Sequence, residues 1–220
     1  MALFQDRSDA GRRLARALER YAVEAPLVLA LPRGGVPVAF EVAQALHAPL
    51  DVVLVRKVGA PGQAELALGA IVDGDEPQFV LNEDVAAALL PSADFIEEAK
   101  TRQLEEIERR RELYRSGRPT EPIAERTVIV VDDGIATGAT TRAALRGVRR
   151  QQPKRLILAV PVAPADVLAS LSKECDDIVC LETPAHFGAV GMHFVSFTQT
   201  SDDEVVQLLR QANADGSIGK

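Results

Sequence analysis

The run Val128-Ile129-Val130-Val131-Asp132-Asp133-Gly134-Ile135-Ala136-Thr137-Gly138-Ala139-Thr140-Thr141 constrains this chain more than any other segment. Four β-branched residues in a row predict a strand buried on both faces. Two carboxylates sit where that strand must end, a short turn of small and hydroxyl residues follows, and a helix is expected over Ala139–Arg150. A helix N-terminus offers unpaired N–H groups and a partial positive charge, which together suit a phosphate. Gly138 and Ala139 let an anion approach the backbone, and Thr137, Thr140 and Thr141 add hydroxyl donors. Adjacent carboxylates are the wrong groups to touch a phosphate, but they suit sugar hydroxyls or a magnesium ion that neutralises them. A ligand with a phosphate at one end and a vicinal diol beside it is a sugar phosphate. A nucleotide-triphosphatase loop would need Gly-x-x-x-x-Gly-Lys-Ser/Thr, and no lysine follows Gly134 in this run. The purely structural alternative is a tight strand–helix connection in which Asp132 and Asp133 only cap.

The rest of the chain alternates strand and helix signals. Leu27–Leu31 and Asp51–Val55 read as short buried strands, and Val36–Leu46 between them reads as a helix that tolerates Pro37 in its first turn. Pro32-Arg33-Gly34-Gly35 joins the first strand to that helix. Its two glycines expose backbone N–H groups, and Arg33 supplies a fork of donors for phosphate oxygens; a simple turn with a surface arginine has the same composition. Ser8 or Asp9 can cap a first helix that runs to about Tyr21. Arg56 to Gly74 reads first as a mobile loop and then as a strand near Gly69–Val72, with another strand at Gln78–Leu81. A long helix dense in Glu and Arg is expected from about Pro91 to Arg118, ended by Gly117 and Pro119. Strands at Thr127–Val131, Arg155–Val160 and Asp177–Leu181, a short helix near Ala165–Leu171, and a last helix from Asp202 to about Ala212 complete the order. Repeated strand–helix–strand order predicts an α/β fold, a central parallel sheet of about five strands flanked by helices.

Charge and composition exclude some functions. A formal net charge of −7 over 220 residues speaks against wrapping nucleic acid, which needs a basic face. No run approaches the ~18 apolar residues of a membrane span. Asp6, Arg7, Asp9, Arg12 and Arg13 leave no apolar stretch for a signal peptide, so a cytoplasmic location is expected. Cys175 and Cys180 match no metal or redox spacing and read as reduced thiols, and His186 with His193 lacks a third metal ligand.

The run from Asp132 to Thr141 resembles the signature with which the type I phosphoribosyltransferases bind 5-phosphoribosyl-1-pyrophosphate (PRPP). Pro32-Arg33-Gly34-Gly35 resembles their pyrophosphate loop, and Arg56-Lys57 with the glycine-containing segment after it resembles their flexible catalytic loop. The resemblance covers nearly the whole chain. It implies a single domain over residues 1–220, with a small hood over the base from about 1–20 and 182–200. The helix at about 91–118 is not standard for well-known members and points to a less-studied bacterial branch. The resemblance implies that Asp132 and Asp133 hold the ribose 2′- and 3′-hydroxyls directly or through Mg2+. It assigns the 5′-phosphate to Ala136, Thr137, Gly138, Ala139, Thr140 and Thr141, and the pyrophosphate to Arg33, Gly34 and Gly35. Arg56 and Lys57 become cation clamps, and Glu65 a candidate to move a proton of the base. Phe187, Phe194 and Phe197 fall in the hood, where they either stack on a base or form plain core. Members that use 6-oxopurines carry Asp where this chain has Ala136, so the chain stands nearer the adenine-type members. The implied activity is transfer of phosphoribose from PRPP to a nucleobase-like nitrogen acceptor in nucleotide salvage, by a dimer or larger homo-oligomer. The alternative is a non-catalytic PRPP-binding regulator.

Overall fold

The computed structural model describes residues 2–74, 77–115 and 117–215, with the backbone alone at positions 64, 65 and 215. Five parallel strands form the central sheet in the order β2 (Leu50–Val52), β1 (Leu27–Ala30), β6 (Thr127–Val131), β7 (Arg155–Val162) and β8 (Asp177–Glu182). The expected central sheet is therefore present. Its strands read as continuous apolar runs because helices cover both faces. Val28, Ala30, Ile129 and Val131 pack on the face covered by α1 (Arg7–Leu18), α2 (Gly35–Leu46) and α7 (Asp202–Asp215). Leu27, Leu29, Val128 and Val130 pack on the other face, against α5 (Ala139–Arg150) and α6 (Ala165–Leu171).

Strand order reverses between β1 and β6. From β1 the chain steps outward to β2, whereas from β6 it steps the other way to β7 and β8. Loops leaving neighbouring strands at such a point diverge and open a crevice at their carboxyl ends. Register carries this to single residues: Ala30 pairs with Val131, and Leu31 N–H donates to the Val131 carbonyl at 2.9 Å. The segments starting at Pro32 and Asp132 are thereby forced side by side.

Two expectations are corrected beside this sheet. The strand expected over Asp51–Val55 stops at Val52, and Val55 opens a separate antiparallel sheet of β3 (Val55–Ala60), β4 (Gln63–Val72) and β5 (Gln78–Leu81). The mobile loop expected after Arg56 is thus a hairpin, with Arg56 opposite Ile71 and Lys57 opposite Ala70. Its turn is Pro61-Gly62, with φ +68° at Gly62, where proline presets the first central residue and glycine accepts the left-handed second one. Burial of Val58, Leu68, Ile71 and Val72 supplies the apolar contacts that hold it. Val72 lies on Gly147 of α5, where an added Cβ would fall 2.4 Å from Val72 Cγ1.

The long helix is shorter than expected, α4 (Ala93–Arg115), and α3 (Glu83–Leu89), which the sequence reading did not anticipate, precedes it. Helix α1 is capped by Asp6, whose carboxylate accepts from Asp9 N–H at 2.8 Å, rather than by Ser8 or Asp9. The two chain ends meet over the end of β7. Phe4 N–H donates to the His193 carbonyl at 3.0 Å, Val195 N–H to the Phe4 carbonyl at 2.9 Å, and Phe4 and Phe194 pack with Val162.

A buried ion cluster fastens α4 to the sheet. Arg115 lies 3.3 Å from Asp51 of β2 and 3.2 Å from Asp73, which follows β4, and Arg111 also binds Asp73. Asp73 Oδ2 is buried without the alignment of a hydrogen bond, so it depends on the Arg115 charge. Removing one partner of such a cluster leaves an uncompensated buried charge, at about 3–5 kcal/mol. Arg115→Met is expected to lower the unfolding free energy by about that amount in urea titrations. Arg102→Met, which breaks an exposed pair with Glu98 at 3.2 Å, is expected to change it by less than about 1 kcal/mol.

Candidate functional site

The crevice at the β1–β6 switch is built by two helix N-termini. Gly34 caps α2 and Gly138 caps α5, and neither supplies a side-chain bond to the first-turn N–H groups. Both ends carry a positive partial charge, but only α5 keeps open first-turn donors: in α2, Gly35 N–H donates to the Leu31 carbonyl at 3.0 Å, Val36 N–H to the Arg33 carbonyl at 3.1 Å, and Pro37 has no N–H. Gly138 has φ +76°, a conformation that glycine adopts without steric cost. Thr137, Ala139 and Thr140 are exposed around it, while Thr141 is buried at the first turn with 3% of its surface open. Ile135, buried beneath the loop, fixes it through an N–H bond to the Val162 carbonyl at 3.0 Å.

Close approach explains the glycine pair. A Cβ on Gly35 would lie 2.8 Å from the Val131 carbonyl oxygen, and one on Gly34 would lie 2.1 Å from Asp133 Oδ2. No other residue lets the first loop lie this tightly against the second. The Pro32–Arg33 peptide is cis. Arg33 points toward Asp202 at the start of α7, 3.9 Å away, and Tyr114 of α4 donates its hydroxyl hydrogen to the same carboxylate. Burial and that bond push the Tyr114 hydroxyl up to about 12, so it stays a donor at any physiological pH. The long helix thus reaches the site. Arg110, from the same helix, lines a small cleft with Pro32, Arg56 and Thr140.

The structure brings Gly34 against Asp133, Gly35 against Asp132, and Thr140 into one small cleft with Pro32, while the Arg33 side chain is directed to Asp202. Arg56 lies on β3 rather than at the end of a central strand, and its Nε donates to Gln103 of α4 at 3.0 Å. Lys57, beside it, is exposed. The side chain of Glu65 lies outside the described residues. Phe194 is 5% exposed and packs on Phe4 at 5.3 Å between ring centres, so it is hood core rather than an open stacking face. Phe187 is half-buried against His193, whose Nε2 bonds the Phe187 carbonyl at 2.8 Å. Phe197, in contrast, is 36% exposed.

One residue escaped sequence reasoning altogether. Arg7, the first residue of α1, binds Asp133 Oδ2 through Nε and Nη2, each at 2.8 Å. No local pattern announces a contact between residues so far apart in the chain.

A model of the phosphoribosyl transferase domain family matches residues 4–194, a span that includes both loops. The chain belongs to this family. A Mycobacterium tuberculosis protein carrying the provisional name of a phosphoribosyl transferase is 50% identical over 98% of this chain. The match covers 48% of that protein, so the chain spans about half the length of the curated relatives it matches. The crystal structure of the protein TT1426 from Thermus thermophilus is 43% identical, covers 96% of this chain and 99% of that one, and superposes with a TM-score of 0.84.

In this phosphoribosyl transferase domain the two carboxylates are electrostatically strained. Burial, then the neighbouring Asp133 charge, hold Asp132 well above the usual carboxylate range. Burial also raises Asp133, and Arg7 offsets part of that rise. Asp132 Oδ1 accepts the Asp133 N–H at 2.9 Å, a bond an asparagine oxygen can keep. A carboxylate raised in the folded state favours folding when protonated, and that contribution is lost as pH rises through its folded pKa. Asp132→Asn is therefore expected to raise Tm at pH 8, by about 2–4 °C for each kcal/mol recovered. The gain should shrink as pH falls through the raised Asp132 range. Differential scanning calorimetry of both proteins between pH 5 and about pH 8 checks the sign.

Proposed function

We propose that this domain transfers the 5-phosphoribosyl group of PRPP to a nitrogen of a nucleobase-like acceptor and releases pyrophosphate. The observation carrying this reading is the tight contact of Gly34 and Gly35 with Asp133 and Val131. It sets the positive end of α2 beside the pair of carboxylates that precedes α5. PRPP has the matching order of groups: a phosphate, a diol and a pyrophosphate.

Unpaired N–H groups at Ala139–Thr141 and the hydroxyls of Thr137 and Thr140 hold the 5′-phosphate. Asp132 and Asp133 accept from the ribose hydroxyls and orient the ring. Arg33, at the positive end of α2, holds the pyrophosphate. Arg56 lines the cleft between the two loops and adds positive charge there. The anomeric C–O bond breaks with its electron pair leaving on pyrophosphate, a C–N bond forms to the acceptor, and positive charge builds on the ring meanwhile. The acceptor's proton needs a base, and Glu65 of β4 is the candidate in the hairpin.

The donor set suits Mg2+ shared with substrate. Among the described residues no cluster of three or more metal-ligating side chains exists, and two strained carboxylates match an ion that also takes phosphate oxygens. When bound, Mg2+ neutralises charge on the departing pyrophosphate. Among the described residues no helix is long and apolar enough to cross a membrane. A cytoplasmic location belongs to the same reading, because the proposed substrates are metabolites of nucleotide salvage.

The test is pyrophosphate release from PRPP and Mg2+ with adenine, hypoxanthine, guanine, xanthine, uracil or orotate. Release that depends on one base is expected, and it should fall at least about 100-fold in Asp132→Asn/Asp133→Asn. PRPP binding without release for any acceptor would favour the regulator. Unchanged PRPP binding by the double variant would overturn the site.

A further inference from the structure

Arg7 is the point where the chain ends, the first loop and the second loop meet. Its Nε and Nη2 both reach Asp133 Oδ2, at 2.8 Å. Its Nη1 donates to the Thr198 carbonyl at 2.6 Å, and its guanidinium carbon lies 3.8 Å above the centre of the Phe197 ring. A Cβ on Gly34 would fall 3.3 Å from Arg7 Nη2. The Arg7 side chain is 12% exposed and that of Asp133 13%, so this pair is sheltered from screening.

A lysine could not make this set of contacts. The planar guanidinium offers donors in several fixed directions and a flat face for the ring, whereas an ammonium is a point charge. Arg7 takes one oxygen of Asp133. A carboxylate has about four lone-pair sites, so the other oxygen still accepts from a hydroxyl. Fixing Oδ2 fixes the rotation of the carboxylate, and with it the direction of that second oxygen.

We infer that Arg7 is a positioning residue of the diol site: it holds Asp133 for a ribose hydroxyl and ties that carboxylate to the 197–198 segment of the terminal hood. Recognition of the diol then depends on the hood being in place. The inference rests on the proposed assignment of Asp132 and Asp133 to the sugar hydroxyls. It adds a residue from the other end of the chain and a link between two parts of the site.

The test separates diol recognition from general attraction of anions. Ribose 5-phosphate and 2,3-dideoxyribose 5-phosphate carry the same phosphate and differ in the hydroxyls. Calorimetric titration of the full chain without metal gives a ratio of their dissociation constants. In the wild type, loss of hydroxyl bonds to charged carboxylates is expected to weaken the dideoxy compound by about tenfold or more. In Arg7→Met that ratio should fall to about twofold or less, because Asp133 is no longer oriented. Arg7→Lys should bring dideoxy affinity back toward wild type through its charge while leaving the ratio low. Phe197→Ala, which removes the surface under the guanidinium but leaves Asp133 intact, should reduce the ratio part-way.

A merely structural role would weaken both sugars alike and leave the ratio at its wild-type value. A wild-type ratio in Arg7→Met or Arg7→Lys would overturn the inference while leaving the diol assignment standing. A wild-type ratio in Phe197→Ala would overturn the link to the hood. A wild-type protein that binds the two sugars equally would overturn the diol assignment, and the inference with it. Thermal unfolding of each variant shows that the proteins compared are folded, and Arg7→Lys keeps the test available if Arg7→Met is not.

Discussion

Everything at the site depends on the parallel pairing of β1 with β6. The two strands are buried on both faces, and their register sets Ala30 against Val131. Each strand ends in a loop that becomes a helix, so the pairing delivers two helix N-termini and two carboxylates to one crevice. Neither loop is a ligand site alone. Together they set the positive ends of two helices beside a pair of carboxylates, the arrangement on which the proposed function rests.

The crevice carries an electrostatic cost. Asp132 is half-buried beside another carboxylate, and Arg7 bonds Asp133 directly while reaching Asp132 only through its charge. Carboxylates held in this way are poor for folding and good for binding, because a ligand that bonds or neutralises them recovers what folding gave up. Gly34 and Gly35 belong to the same compromise. Their conformational freedom costs entropy on folding, yet any side chain there would strike Asp133 or the Val131 carbonyl.

The second sheet and α4 extend this core without disturbing it. The Asp51–Arg115–Asp73–Arg111 cluster joins β2, the end of β4 and α4 through charges that cannot separate without leaving a buried ion exposed to a low dielectric. That attachment fixes where α4 can lie. It carries Tyr114 to Asp202 beside Arg33, and Arg110 to the cleft with Arg56. The long helix therefore contributes to the lip of the site.

The sequence by itself determined the central strands, most of the helices and the two loops. Each is a local pattern: a β-branched run, a glycine pair, a hydroxyl-rich turn before a helix. Arg56 to Gly74 reads first as a mobile loop, because weak periodicity around Pro61-Gly62 conceals the hairpin. What only the tertiary structure decided is which distant groups touch. Sequence carries no signal that Arg7 reaches Asp133, that Tyr114 and Arg33 share Asp202, or that Phe194 is core while Phe197 is open. Those contacts come from strand order and from how the chain ends fold over β7. They are set by the packing of elements far apart in the chain, and no short stretch of residues encodes that.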